Sequence, residues 1–220
     1  MTRVAVTIAC GVSAATIAAC GGEKGADTGA APTGGSPTTV VSCWREVAEA
    51  YAGVNSAGLD VLGDYVFDML ELYQAMVAAD AGPIEEFKVA YRRFGKALES
   101  TARRAEEFLQ ANDDTAARLA ECSDEAAASE TVPSCWERVA KAYEAAGSQA
   151  EATLLEHLQP IFDEFRTILD AAEVKDRAAV RAGEDRLDAK YQRMADDGGR
   201  FARLAGMAER EQELCSSSSG

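Results

Sequence analysis

Sulfur carries the clearest chemistry in this chain, because four of its six cysteines fall in two pairs that repeat one another. Cys43 stands in Ser42-Cys43-Trp44-Arg45-Glu46-Val47-Ala48-Glu49-Ala50-Tyr51, and Cys135 stands in Ser134-Cys135-Trp136-Glu137-Arg138-Val139-Ala140-Lys141-Ala142-Tyr143. Seven of the ten positions are identical, and each copy is followed by one further cysteine, Cys122 and Cys215. Self-similarity of this length marks two copies of one structural unit. Cysteines so placed can form disulfides or hold zinc. The zinc reading is disfavoured, because no C-x-x-C spacing occurs and no histidine lies near any of the four. No metal site is expected.

Other reactive constellations are scarce. There is no G-x-S-x-G, no phosphate-cradling glycine loop and no H-E-x-x-H. A single histidine, His157, rules out the paired Glu-x-x-His ligand set of di-iron bundles. His157 occupies the place that Tyr65 holds in the first repeat, which raises the idea of a haem or lipid held near His157, Tyr65 and Tyr73. The simpler expectation is a partly buried core histidine satisfied by a neighbour, and neither a cofactor nor enzymatic activity is expected. Arg92, Arg93, Lys96, Arg103 and Arg104 interleave with Glu85, Glu86, Glu99 and Glu106 and read as a solvated, salt-bridged face.

The N-terminus supplies a modification site. Met1-Thr2-Arg3 precedes a mostly apolar stretch from Val4 to Thr16, too short to span a bilayer, which runs into Ile17-Ala18-Ala19-Cys20-Gly21. This resembles the lipobox of bacterial lipoproteins. The resemblance covers about twenty residues and implies export, removal of residues 1–19 and acylation of Cys20. It departs from the commonest pattern in its single positive charge and in Ile17 where leucine is frequent. Several acyl chains acting together would anchor the protein stably. The Ala-rich composition looks like that of actinobacterial lipoproteins.

Charge agrees with an exported, solvated exterior. The formal net charge is −15, and loss of Arg3 with residues 1–19 makes it −16. Such a chain repels nucleic acid and anionic head groups, so no nucleic-acid partner is expected and the lipid is the expected membrane contact. Gly21–Val41 is rich in Gly, Ala, Thr and Pro with almost nothing to bury, and reads as a disordered tether with a span of ~25 Å.

The elements that must position the cysteines are helices. In the first repeat an apolar stripe at three- and four-residue steps runs from Trp44 through Tyr51, Val54, Gly58, Leu62 and Tyr65, with a four-four stutter at Gly58. Gly82-Pro83 ends that helix and starts another, whose stripe runs from Ile84 to Cys122. The second repeat carries an outgoing stripe from Trp136 to Ile168, with a kink expected at Pro160, and a returning one through Val180, Met194, Gly198 and Cys215.

Two antiparallel helices place their open ends side by side. Three connectivities are available to four cysteines, and pairing within each repeat, Cys43–Cys122 and Cys135–Cys215, is the one that matches hairpin geometry. An exported chain meets the oxidising conditions this needs. Extra apolar residues near the turns (Val61, Val66, Phe67, Leu70 and Val77; Leu155, Leu158, Phe162 and Leu169) point to hairpins packed on each other. The expected fold is therefore all-α, two tandem disulfide-closed hairpins in an elongated four-helix bundle ~55 Å long. Two hairpins strung end to end are the alternative. The boundaries read 1–19 signal peptide, 20–41 lipidated cysteine and tether, 42–122 first hairpin, 123–133 linker and 134–220 second hairpin.

This arrangement puts tether, linker and cysteines at the membrane-proximal end and leaves the turns distal. Asp80, Glu85, Glu86, Glu173 and Asp176 are the candidate interaction residues there. The functional expectation is a membrane-anchored extracytoplasmic lipoprotein, a non-enzymatic interaction module for an envelope or extracellular protein, including one on an incoming phage. The alternative is a small-ligand carrier of haem or lipid.

Overall fold

Three- and four-residue apolar spacing does produce four long helices. In a computed structural model that describes residues 37–80, 82–128 and 134–218, they are α1 (Pro37–Asp80), α2 (Ile84–Ala128), α3 (Cys135–Glu173) and α4 (Arg177–Ser218). Among the described residues there are no strands, and no helix is long and apolar enough to cross a membrane. Cys20 and the rest of residues 1–36 lie outside the described residues.

The two disulfides join Cys43 to Cys122 and Cys135 to Cys215, with Cα atoms 5.8 and 5.6 Å apart. Each closes its own hairpin. The hairpins pack on each other along their length, and every helix pair except α2 with α4 is in contact among the described residues. The end-to-end alternative is excluded. One core cluster lies at the disulfide end, where Trp44, Tyr51, Leu119, Val139, Tyr143 and Ala208 surround Cys122 and Cys215. A larger one fills the turn half and draws Tyr65, Phe94, Phe165 and Tyr191 from α1, α2, α3 and α4 respectively.

Local differences from the expectation have local causes. The helix begins at Pro37, not after Val41, because Val40 is an apolar side chain with a core to enter; it is 2% exposed. Likewise α2 continues to Ala128, past Cys122, and takes up part of the expected linker. Ser134 and Ser42, equivalent in sequence, differ in role. Ser134 is the N-cap of α3, its Oγ accepting the Glu137 N–H at 3.0 Å, whereas Ser42 lies inside α1.

Helix α3 runs unbroken through Pro160. Of the extra apolar residues near the turns, Val61 and Leu158 are buried and Leu70, Phe162 and Leu169 pack half-buried, but Leu155 is exposed; the side chains of Phe67 and Val77 lie outside the described residues.

The stutter at Gly58 disappears. It arises from taking Val54 as the core position, but Asn55 is the buried residue, 2% exposed, and with Ala48, 0% exposed, ahead of it 44-48-51-55-58-62 steps four, three, four, three, four. In α4 the apolar steps 191-194-198-201-205 already alternate three and four, and the difference there is one of partner. Gly198 and Asp197 are both half-buried; a Cβ at Gly198 would meet nothing within 4 Å, while Asp197 reaches His157 across the hairpin at 2.8 Å.

Candidate functional site

At the distal end the α3–α4 turn is closed by backbone bonds. Asp176 N–H donates to Ala171 O at 2.9 Å and Lys175 N–H to Ala172 O at 3.1 Å, with Lys175 at φ 60°. That pairing is a Schellman cap, with a lysine in the left-handed position that glycine usually fills. Asp176 Oδ1 then accepts the Ala179 N–H at 3.0 Å and caps α4. Arg177 Nη2 donates to Gly82 O at 3.2 Å, so the two turns touch.

Of the candidate tip residues, Glu86, Glu173 and Asp176 are exposed, and the side chains of Asp80 and Glu85 lie outside the described residues. Asp176 is thus a structural cap as well as a surface charge. Val174, missed from sequence, stands 76% exposed at the apex. Its signal was an apolar residue between Glu173 and Lys175 with no stripe to join.

Behind the turns, aromatic rings occupy the space between the hairpins. Tyr91 stacks on Phe165 at 5.2 Å between centroids, Phe94 meets the same ring at 5.2 Å, and Phe87 packs on Tyr91 at 4.6 Å. Tyr191 of α4 gathers both candidate tyrosines, Tyr65 at 5.8 Å and Tyr73 at 6.2 Å. Tyr73 donates its hydroxyl to Glu184 O at 2.8 Å. The Tyr65 and Tyr191 side chains are both buried in this layer. Burial pushes the Tyr73 hydroxyl up to about 12, helped by the Glu184, Asp188 and Asp185 charges, and raises Tyr65 and Tyr191 further.

His157 is engaged elsewhere. Its Nε2 stands 2.8 Å from Asp197 Oδ2 across the α3–α4 hairpin, and Arg200 approaches Asp197 Oδ1 at 3.3 Å. A neighbour satisfies the histidine as expected, and the ring is buried, more deeply than the partial burial expected. The structure brings Tyr65 and Tyr73 together on Tyr191, while the polar partner of His157 is Asp197.

Further along the same hairpin, Glu164 is buried on α3 and receives Arg186 Nη2 and Lys190 Nζ from α4, each at 2.9 Å. Burial would raise its pKa, but the two hydrogen bonds and their charges outweigh it and hold the carboxyl below the usual range. On the other hairpin Arg104 of the basic stretch pairs with Asp64 of α1, while Arg92, Arg93 and Arg103 are exposed among acids.

A polar layer separates the two core clusters. Asn55 Nδ2 donates to Tyr143 O at 3.0 Å, and Asn112 Nδ2 donates to Glu151 Oε2 at 2.9 Å. Their Oδ1 atoms converge beside Gly147, where a Cβ would overlap Asn112 Oδ1 and stand 3.4 Å from Asn55 Oδ1.

No protein-family profile, curated protein or solved structure matches the chain.

Proposed function

We propose that the chain is a lipid-anchored extracytoplasmic lipoprotein, acylated at Cys20, whose stapled bundle presents its distal turns to another protein of the envelope or of an incoming phage. The observation that carries this reading is the polarity of the bundle. Both disulfides lie at the end where Pro37 opens α1, so the segment bearing Cys20 enters there, and the two helix turns lie at the opposite end. Helices of about forty residues separate those ends by ~55 Å. Closing each hairpin makes the separation rigid, which suits a module that holds a contact surface away from its anchor.

The filled aromatic layer favours this reading over a haem or lipid carrier. A carrier needs room between the hairpins, and the rings of Tyr65, Tyr91, Phe94, Phe165 and Tyr191 stand there in mutual contact. Glu86 and Glu173, exposed and without a capping duty among the hydrogen bonds seen, are the residues assigned to the partner.

The test has two arms. Cys20→Ala should release a folded protein from membranes on cell fractionation; detergent-dependent retention would refute the anchor. A photocrosslinking residue placed at 86 or 173 should give one defined adduct in intact cells that the same residue at 121 or 209 does not. Equal crosslinking at all four positions would refute a distal contact surface.

A further inference from the structure

We infer that Glu156, His157 and Asp197 form a site for a divalent first-row transition ion, a further link across the second hairpin between its disulfide and its turn. The three side chains come from two helices, and one ligand atom of each lies within 4.8 Å of the other two. The tight edge is His157 Nε2 to Asp197 Oδ2, 2.8 Å. Two atoms each about 2.0–2.2 Å from one ion stand about 3.0–3.4 Å apart, so this edge needs to open by only a few tenths of an ångström. Glu156 is exposed and free to swing in as the third ligand.

Arg200 holds Asp197 Oδ1 at 3.3 Å and leaves Oδ2 to face His157 and the ion. His157 is buried at 6% exposure, which holds the imidazole in place, and its neutral form is the ligand that divalent transition ions prefer. Asp197 is partly open, its side chain 19% exposed, and Glu156 is at the surface, so water can reach the site to complete the coordination. Pro160 has no N–H for the Glu156 carbonyl, so the helix is locally freer to adjust where it must. The donor set is one imidazole and two carboxylates, which selects Zn²⁺, Mn²⁺ or Ni²⁺ over Ca²⁺ and Mg²⁺. Tyr65 replaces the histidine in the first repeat, so the site belongs to the second hairpin alone.

Because His157 is the sole histidine, its ring ¹⁵N signals report the site directly in the untagged protein, whatever ions other groups attract. Titration with Zn²⁺ should shift the Nε2 resonance and saturate at one ion per chain. Ring signals that stay unmoved in excess Zn²⁺ would overturn the site. Asp197→Asn keeps an acceptor for the imidazole, and Glu156→Gln changes only the surface, so both should fold. Each should weaken Zn²⁺ binding, read from the same resonance, by at least about tenfold. If either variant binds as tightly as the natural chain, the three-ligand site is wrong.

Discussion

Three glycines in α1 test the packing quantitatively, because they share one helix and differ in what surrounds them. A Cβ added at Gly53 or Gly63 meets nothing within 4 Å, whereas one at Gly58 would stand 2.7 Å from Phe108 Cε2 and 3.2 Å from Phe201 Cζ. Glycine inside a helix costs about 1 kcal/mol relative to alanine, and that gain is common to all three Gly→Ala changes. Phe108 and Phe201 are 2% and 0% exposed, from α2 and α4, and cannot both turn aside. Overfilling such a site costs about 1–3 kcal/mol. Gly53→Ala and Gly63→Ala should therefore stabilise by about 1 kcal/mol each, and Gly58→Ala should lie about 1–3 kcal/mol below them. Urea unfolding followed by circular dichroism at fixed temperature reads the difference with the propensity contribution cancelled. In Tm the gap is about 2–4 °C per kcal/mol for a chain of this size. Phe108→Leu, which shortens the obstructing ring, should cost less in the Gly58→Ala background than alone, giving a favourable coupling. Equal stability of Gly58→Ala and Gly53→Ala would refute the close approach of α1 to Phe108.

The α3–α4 turn and the aromatic layer give two more outcomes. Lys175→Gly should stabilise by about 0.5–1 kcal/mol after the greater freedom of glycine in the unfolded chain is subtracted, and a lower urea midpoint would contradict the left-handed cap at φ 60°. Tyr73, Tyr65 and Tyr191 ionise later in the folded chain than in the unfolded one, where the value is near 10. Their contribution is therefore complete below pH ~10 and lost as pH rises through the folded values, from about 12 for Tyr73 upward. Phenolate absorbance of these residues should appear together with loss of helix above pH ~11; full ionisation near pH 10 with the helix intact would be the contrary result.

Most of the fold was legible because its two signals are physically redundant. Helical periodicity set the elements, and the repeated Ser-Cys-Trp with its trailing cysteine set which ends must meet. What was not legible was polar. A reading that follows apolar residues steps over Asn55 to Val54 and over Asp197 to Gly198, and so places a stutter in α1 and misses the partner of His157. Both errors have one cause. A buried polar residue earns its place through a partner on another helix, Tyr143 O for Asn55 and His157 for Asp197, and that partner lies 88 or 40 residues away in sequence. In α1, strict alternation read back from Tyr65 and Leu62 returns Asn55, but in α4 it returns Gly198, so periodicity alone could not have chosen Asp197. Nothing in the periodicity could have found Val174, since a turn apex belongs to no stripe.

The polar layer explains why two hairpins with similar apolar seams pack in one register. Apolar burial alone is non-directional and fixes register less sharply than a polar pair that must meet one partner. Here Asn55 of α1 must reach Tyr143 O on α3, and Asn112 of α2 must reach Glu151, also on α3. Gly147 lies between them and leaves space for both amide oxygens. A slide by one turn would bury two amides without these partners and bring a side chain where the glycine now stands, and an unsatisfied buried group costs about 1–3 kcal/mol. The disulfides tie each hairpin to itself and say nothing about how one sits on the other. The asparagines tie hairpin to hairpin, and so keep the two turns level at the distal end.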